Sequence, residues 1–375
     1  MKKLGFGAMR LPLLDPDDKK SIDYEQFSRM IDTFLDRGFT YFDTAYPYHQ
    51  EMSEIAVREC LVKRHPRDSF VLADKMPIIR IFDGAEYPKY FEEQMRKTGV
   101  DYFDYYLLHN MGVDRYERTC RQGAFEFLAE MKQKGYIGKI GTSFHDRPSL
   151  LEDMLTKYGD IIDFIQIQLN YLDWESPVVA SRKNYELCKK FGKPVVVMEP
   201  VKGGTLVNKL PQAAIDRFKA ADPDLSPASW AIRYAASLDN VMMVLSGMSN
   251  YAQLDDNTSY MQDFKPLTEE EQQVVSEVRQ IIEKAIEIPC TACGYCMEEC
   301  PMNINIPAYF DLYNQSCTGA QKSSQYYERM RKDHGQAKDC LHCGACEIIC
   351  PQHIKIRDYL EKFAELYKDL EEKFA

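Results

Sequence analysis

Apolar positions along the first two thirds of the chain fall into two alternating patterns. Short apolar runs, LGFGAM, TYFDTA, SFVLADK, DYYLLH, IGKIGTS, DFIQIQL, PVVVMEP and VMMVLSG, read as eight buried strands. Between them lie stretches such as EQFSRMIDTFLDRG and GAFEFLAEMKQKG, with apolar residues three and four apart and a closing glycine. That spacing makes one apolar stripe along a helix, and glycine ends the helix because it adopts the left-handed conformation freely. Strand then helix, repeated eight times, predicts an α/β fold, the parallel (β/α)8 TIM barrel. A doubly wound open sheet is the competing arrangement, but no glycine-rich dinucleotide fingerprint follows the first run.

The pattern changes after Phe264. PLTEEEQQVVSEVRQIIEKAIEIP predicts a single helix, opened by a capping box of Thr268 and Glu271 and ended by Pro289. Its apolar stripe of Val274, Val275, Val278, Ile281, Ile282 and Ile286 predicts a docked connector. The expected division is therefore a barrel over 1–264, a connecting helix over 265–289 and a small, mainly helical domain over 290–375. Within that domain IPAYFDLYNQ, SSQYYERMRKD and IRDYLEKFAELYKDLEEKF read as helices.

Composition adds exclusions. At 375 residues the chain has room for one large domain and a small one. A hydrophobic fraction of 45% and a charged fraction of 28% are those of a globular protein, and a net charge of −11 gives no reason to bind nucleic acid or an anionic membrane. No stretch approaches the roughly 18 apolar residues of a membrane span. The opening MKKLGFGAMRLPLLD lacks the apolar run of a secretory signal, so a cytoplasmic location is expected.

Eight of the twelve cysteines form two identical runs, C-x2-C-x2-C-x3-C-P: Cys290, Cys293, Cys296, Cys300 and then Cys340, Cys343, Cys346, Cys350. Cys60, Cys120, Cys188 and Cys317 are scattered, and Cys317 is expected to be a buried or incidental thiol. Clustered thiols in a large chain favour metal over disulfides. Closely spaced cysteines on a turning loop supply three corners of a [4Fe–4S] cubane, and the fourth comes from elsewhere. Zinc is the rival, but it favours C-x2-C pairs with a longer gap. The runs resemble those of two-cluster ferredoxins. That resemblance implies Cys290, Cys293, Cys296 and Cys350 around one cluster, and Cys340, Cys343, Cys346 and Cys300 around the other. The 39 residues between the runs, 301–339, make the segment similar to alpha-helical ferredoxin domains of multi-subunit oxidoreductases.

Asp43, Lys75, His109 and Ser143 each stand at or near the end of an apolar run, spaced by 32, 34 and 34 residues. In a parallel barrel the strand carboxyl ends converge, so these side chains would meet above one mouth. The stretches YFDTAYPYHQEMSE, VLADKMP and DYYLLHN, with GTSF and QLDDN further on, resemble the aldo-keto reductase family. The resemblance implies a catalytic tetrad of Asp43, Tyr48, Lys75 and His109, with Tyr46 close enough in sequence to compete for the role of Tyr48. It also implies Ser143 and Gln166 on a nicotinamide carboxamide, Met198 against the ring, and Gly247, Ser249, Gln253 and Asn257 toward the adenine half. Phe144 replaces an asparagine common in the family.

Elementary chemistry agrees with those roles. A phenol of ordinary pKa near 10 is a sluggish acid–base at neutral pH, and an adjacent ammonium, Lys75 held by Asp43, favours its phenolate. His109 would orient a carbonyl oxygen. The loop GMSNYAQLDDN contains no Lys or Arg to meet a 2′-phosphate, which leaves NAD(H), NADP(H) and a flavin open. Lys202, in EPVKGG, is the remaining cation near a barrel phosphate site.

The expected function is an oxidoreductase that couples carbonyl reduction or alcohol oxidation to one-electron transfer through two [4Fe–4S] clusters. A nicotinamide gives two electrons together whereas each cluster takes one, so a ferredoxin, a flavoprotein or a barrel-bound flavin is the expected partner. Two alternatives stand beside it: a plain NAD(P)H carbonyl reductase with structural clusters, and a non-catalytic electron-transfer subunit docking to a larger complex.

Overall fold

The computed structural model describes residues 1–176, 179–285, 287–317, 327 and 334–368. Every predicted run contributes a strand: β1 (Leu4–Gly7), β2 (Tyr41–Asp43), β3 (Val71–Met76), β4 (Phe103–Met111), β5 (Ile137–Phe144), β6 (Phe164–Gln168), β7 (Val195–Met198) and β8 (Val241–Ser246). They close in chain order into a parallel barrel, β8 returning to β1 through Leu4–Val244, Gly5–Leu245 and Phe6–Ser246. Closure rules out the open doubly wound sheet.

Both faces of a parallel barrel are covered, which is why the runs are nearly continuous in apolar residues. Inside, Tyr41, Leu107, Phe164 and Met243 pack together. Gly141 is required there: a Cβ at that position would stand 2.4 Å from the Phe164 ring. Outside, helices pack on the strands. The helix Tyr24–Asp36 starts where the Asp23 carboxylate accepts the Gln26 N–H at 2.9 Å. Its buried face is Phe27, Met30, Ile31 and Phe34, and Phe34 meets the rings of Phe6 and Phe42, each 5.5 Å away. Each such side chain contributes roughly 1.5–3 kcal/mol on burial, so a charged residue at Phe34 would detach the helix.

The capping box ahead of the connector forms: the Thr268 N–H donates to Glu271 Oε2 at 2.8 Å and the Glu271 N–H to Thr268 Oγ1 at 3.2 Å. The helix runs over Glu269–Ala285, with Val274, Val275, Val278 and Ile282 buried. Ile286 lies outside the described residues. The chain forms two compact units, Met1–Lys209 with Phe218–Val275, and Leu210–Arg217 with Ser276–Ala375.

Within the second unit the two cysteine segments repeat each other. Ala292, Gly294 and Asn303 have left-handed φ of 55°, 86° and 51°, and His342, Gly344 and His353, each fifty positions on, have 53°, 79° and 48°. Short helices Tyr295–Glu298 and Ala345–Ile348 follow the cysteine loops, and longer ones begin at Ile306 and Ile356. These longer helices share a core in which the Tyr309 and Phe363 ring centroids lie 4.8 Å apart. Of SSQYYERMRKD only Tyr327 is described, and the side chain of Cys317 and the carboxyl end from 369 also lie outside the described residues. Among the described residues no helix is long and apolar enough to cross a membrane.

Candidate active site and cysteine cavities

Asp43 ends β2 and Lys75 stands one residue before the end of β3, so neighbouring strands present both at the barrel mouth. Lys75 Nζ donates to Asp43 Oδ1 at 2.5 Å and to the Thr44 carbonyl at 2.7 Å, and both side chains are fully buried. Burial works against the charge on Lys75, but the attraction of Asp43 and Tyr48 outweighs it and holds the ammonium above its usual 10.5.

Tyr48 is carried on the turn after β2. The next three residues, His49, Gln50 and Glu51, all have left-handed φ of 51°, 51° and 72°, a costly conformation for residues with a Cβ. The His49 ring fastens this turn by accepting the Leu11 N–H at Nε2 (3.0 Å) while Nδ1 meets the Lys19 carbonyl at 2.9 Å. The turn places the Tyr48 ring with its centroid 5.0 Å from Lys75 Nζ, and the His109 ring stands edge-on to it at 5.8 Å. Tyr46 turns the other way: it is buried, its hydroxyl reaches Glu93 at 3.3 Å, and Lys97 covers its ring.

Burial raises the Tyr48 phenol above its ordinary value, Lys75 pulls it down, and burial prevails. Lys75 acts in the expected direction, favouring the phenolate, and limits the rise that burial imposes without reversing it. His109, on β4, is driven well below 6.5 by burial and then by Lys75, so it stands neutral. A neutral ring retains one N–H to donate and one nitrogen to accept.

Ser143 and Gln166 are register partners on β5 and β6, both buried. Ser143 Oγ accepts the Asn110 N–H at 2.7 Å and keeps its own proton to donate. Gln166 Oε1 is buried without a partner among the described residues. A donor beside an orphaned acceptor suits a carboxamide, so the pair fits a nicotinamide. Met198, half-buried, ends β7. Phe144 turns into the apolar core.

The phosphate side differs from expectation. Lys202 is not a free cation, because Asp173 Oδ1 holds its Nζ at 2.6 Å. Asn257 is buried and engaged: its amide donates to Ser246 Oγ, at the end of β8, at 2.8 Å, and its carbonyl accepts from the Tyr260 hydroxyl at 2.7 Å. Gln253 Oε1 accepts the Ser249 N–H at 2.7 Å, and the Ser249 hydroxyl donates to the Arg10 carbonyl at 2.9 Å. Arg10, from the loop after β1, lies across the loops after β7 and β8. A Cβ on Gly247 would stand 3.2 Å from its side chain, and one on Gly203 would stand 3.4 Å from its guanidinium. Its ion pair with Glu199, at 4.0 Å, is long.

A second buried polar group, unseen in the sequence, supports Lys75 from behind. Gln94 Nε2 donates to the Lys75 carbonyl at 3.0 Å and to Glu54 Oε1 at 2.9 Å, while its Oε1 accepts the Tyr106 hydroxyl at 2.5 Å. Lys97 pairs with Glu54 at 2.6 Å, and Asp74 Oδ1 accepts the Lys75 N–H at 2.8 Å. Burial first, then the charge of Glu54, pushes Asp74 well above the usual carboxylate range and favours its protonated form.

In the second unit Cys290, Cys293, Cys296 and Cys350 line one cavity, and Cys300, Cys340, Cys343 and Cys346 line another. All eight are free thiols. The Ala292 N–H donates to Cys290 Sγ and the His342 N–H to Cys340 Sγ, each at 3.4 Å, and the Ile304 N–H to Cys300 Sγ at 3.5 Å. Among the described residues no three His, Cys, Asp or Glu side chains are arranged to hold a single metal ion, the geometry zinc needs. Four thiols around a cavity with N–H donors to sulfur fit a cubane.

Comparison with known proteins agrees with both units. Residues 3–280 match the aldo/keto reductase family and residues 289–354 match the 4Fe-4S dicluster domain. "Uncharacterized oxidoreductase YqkF" of Bacillus subtilis is 28% identical over 320 residues, covering 76% of this chain and 95% of its own. A 9,11-endoperoxide prostaglandin H2 reductase of Trypanosoma cruzi is 24% identical over 275 residues, 73% of this chain and 89% of its own. Among solved structures, the holo form of aldo-keto reductase AKR11C1 from Bacillus halodurans superposes with a TM-score of 0.58 at 28% identity, over 74% of this chain and 91% of that one. An aldo-keto reductase from Klebsiella pneumoniae in complex with NADPH gives 0.59 at 19% identity, over 74% and 90%, a likeness of fold. With a closed parallel barrel and a family match over most of its length, the protein belongs to the aldo/keto reductase family and is an oxidoreductase with a 4Fe-4S dicluster domain following its barrel.

Proposed function

We propose that the barrel interconverts a small carbonyl compound and its alcohol with a nicotinamide dinucleotide, and that the two cysteine cavities hold [4Fe–4S] clusters linking this chemistry to a one-electron partner. The observation that carries the reading is the buried Lys75–Asp43 pair at 2.5 Å, with Tyr48 and His109 grouped around it. A bound reduced nicotinamide would supply hydride to the carbonyl carbon, and the clusters would return two electrons, one at a time and by way of a flavin, to the oxidised nicotinamide left behind, with a proton from solvent.

The chain's own residues do the rest. Tyr48 gives its phenolic proton to the carbonyl oxygen as that oxygen gains charge, and Lys75 stabilises the phenolate left behind. Asp43 keeps Lys75 charged and aimed. His109, neutral, donates one N–H to the same oxygen and orients the carbonyl. Ser143 and Gln166 would hold the carboxamide, Met198 would lie beside the ring, and Arg10 would meet the dinucleotide phosphates near the loops after β7 and β8. Both nucleotides remain candidates, because Arg10 supplies a cation that the loop after β8 lacks.

A flavoprotein or ferredoxin suits the one-electron side, since a flavin takes two electrons and releases them singly. The test is anaerobic purification followed by visible and spin-resonance spectra before and after NADH or NADPH, with and without added flavin. Cluster reduction on adding nucleotide supports coupling within the chain. Reductase activity with clusters that stay oxidised under every condition would sink the coupling and leave a barrel reductase.

A further inference from the structure

The repeat within the second unit allows each cysteine cavity to be compared with its twin, position by position. Arg357 lines the cavity of Cys300, Cys340, Cys343 and Cys346, and its counterpart fifty residues earlier, lining the other cavity, is Pro307. Glu347, which has Met297 as counterpart, fixes that arginine: Nη2 donates to Glu347 Oε2 at 2.8 Å, and the Arg357 N–H to Glu347 Oε1 at 2.9 Å. Nη1 reaches the His342 carbonyl at 3.3 Å, on the cysteine loop itself. Arg357 Nε is then left buried with no partner among the described residues. A buried guanidinium N–H without an acceptor costs free energy unless something occupies the space beside it.

We propose that Arg357 Nε donates a hydrogen bond to a sulfur of the cluster held in this cavity, and that this bond, absent from the twin, makes that cluster the easier of the two to reduce. One-electron reduction takes a [4Fe–4S]2+ core to [4Fe–4S]+ and adds negative charge to the sulfurs; an N–H donor stabilises the reduced form and raises the potential. The backbone adds in the same direction. This cavity has two cysteine sulfurs accepting a backbone N–H, Cys340 and Cys300, whereas the other has one, Cys290, among the described residues. Glu299 also borders the cavity but stands exposed, where water and salt screen it. An electron shared between the clusters then rests on the one with the Cys340 run, giving the pair a direction.

The inference rests on the reading that both cavities hold clusters. Wild-type protein that binds less iron than two cubanes require would sink that reading before any potential is measured. With full iron, the holoenzyme labelled with 15N-arginine is reduced by one electron and examined by pulsed spin resonance, and potentiometric titrations are run on the wild type, Arg357→Gln and Arg357→Lys. The expected results are a 15N hyperfine coupling to the first cluster reduced, and a lowered midpoint for that cluster alone in R357Q. R357K, which keeps the charge without the fork, should not restore the wild-type value. No 15N coupling in the wild type, or midpoints that stay put or move together in R357Q, would overturn the proposal. The coupling is read on the wild type, so loss of iron from a variant does not decide the matter.

Discussion

Gln94 grips Lys75 through the backbone: its Nε2 donates to the Lys75 carbonyl at 3.0 Å while its other bonds go to Glu54 and Tyr106. The amide therefore ties β3 to two buried groups that never reach the barrel mouth. Replacing Gln94 with Leu roughly keeps the volume and strands the Lys75 carbonyl and the Tyr106 hydroxyl, while Glu54 keeps Lys97 at 2.6 Å. Each orphaned group costs about 1–3 kcal/mol, so the melting temperature should fall clearly. A loosened Lys75 should also lower kcat by about tenfold, equivalent to roughly 1.4 kcal/mol, with little change in KM. Melting and steady-state kinetics on the same preparation check this; unchanged kcat in a destabilised variant would make the network structural only.

The opposition between burial and Lys75 at Tyr48 sets the pH behaviour. Tyr48 must be protonated to give up a proton, and its phenol lies above the ordinary 10, so carbonyl reduction should stay flat through pH 9. Tyr48→Phe should lose about 10²–10⁴-fold in turnover while keeping its iron. Lys75→Met removes the charge that lowers the phenol, so any remaining alkaline limb should move to higher pH, not lower. Alcohol oxidation, which needs the phenolate, should suffer more than reduction. A pH–rate profile in both directions checks the sign.

His109 ties stability to pH in the opposite sense from a salt-bridged histidine. In the fold its pKa is held well below 6.5 by burial and by Lys75, and on unfolding it returns to about 6.5. Between those values the unfolded chain binds a proton that the native chain does not, so stability is full above 6.5 and falls as pH drops through it. His109→Gln removes that titration. Anaerobic thermal melts of the holoenzyme from pH 8 to pH 5 should show a shallower acid-side decline for the variant than for the wild type. Parallel declines would place the acid lability elsewhere.

The parts legible in the sequence are those where one physical demand acts alone. Strands buried on both faces must be apolar, so the eight runs announce themselves, and Asp43 and Lys75 stand out as polar residues at their ends. The cysteine runs are equally plain because sulfur at that spacing has few other uses. Glu54, Gln94 and Lys97 were hidden for the converse reason: they lie on or beside amphipathic helices, where a charged residue normally reads as a solvated face. Lys202 looks free in the sequence because a cation near a phosphate loop shows nothing of the aspartate, Asp173, that neutralises it. The fifty-residue repeat was visible beyond the cysteines, in Ile304 and Ile354, Ile306 and Ile356, Tyr309 and Tyr359. Across that repeat Pro307 stands opposite Arg357, and Met297 opposite Glu347.

Arg10 follows β1, far along the chain from the loops after β7 and β8 that it approaches in space. Its side chain covers Gly247, and its guanidinium comes close to Gly203, so it spans the two loops that form the usual phosphate site of this barrel. With its carboxylate neighbour Glu199 at 4.0 Å, it has a long, weak ion pair and is available to an anion. A charge-assisted bond to phosphate contributes about 1.5–3 kcal/mol, so Arg10→Ala should weaken dinucleotide binding by about ten- to a hundredfold, with Arg10→Lys in between. Titrations of the holoenzyme with NADH, NADPH and ADP-ribose separate the possibilities. Equal losses for all three mean contact with the pyrophosphate that they share, and a loss confined to NADPH means contact with its 2′-phosphate. Unchanged affinities for all three would show that Arg10 merely screens Glu199. The half-exposed position of Arg10 makes it unlike Lys75 in this respect, since its removal leaves no buried partner stranded and binding can be read without a loss of fold.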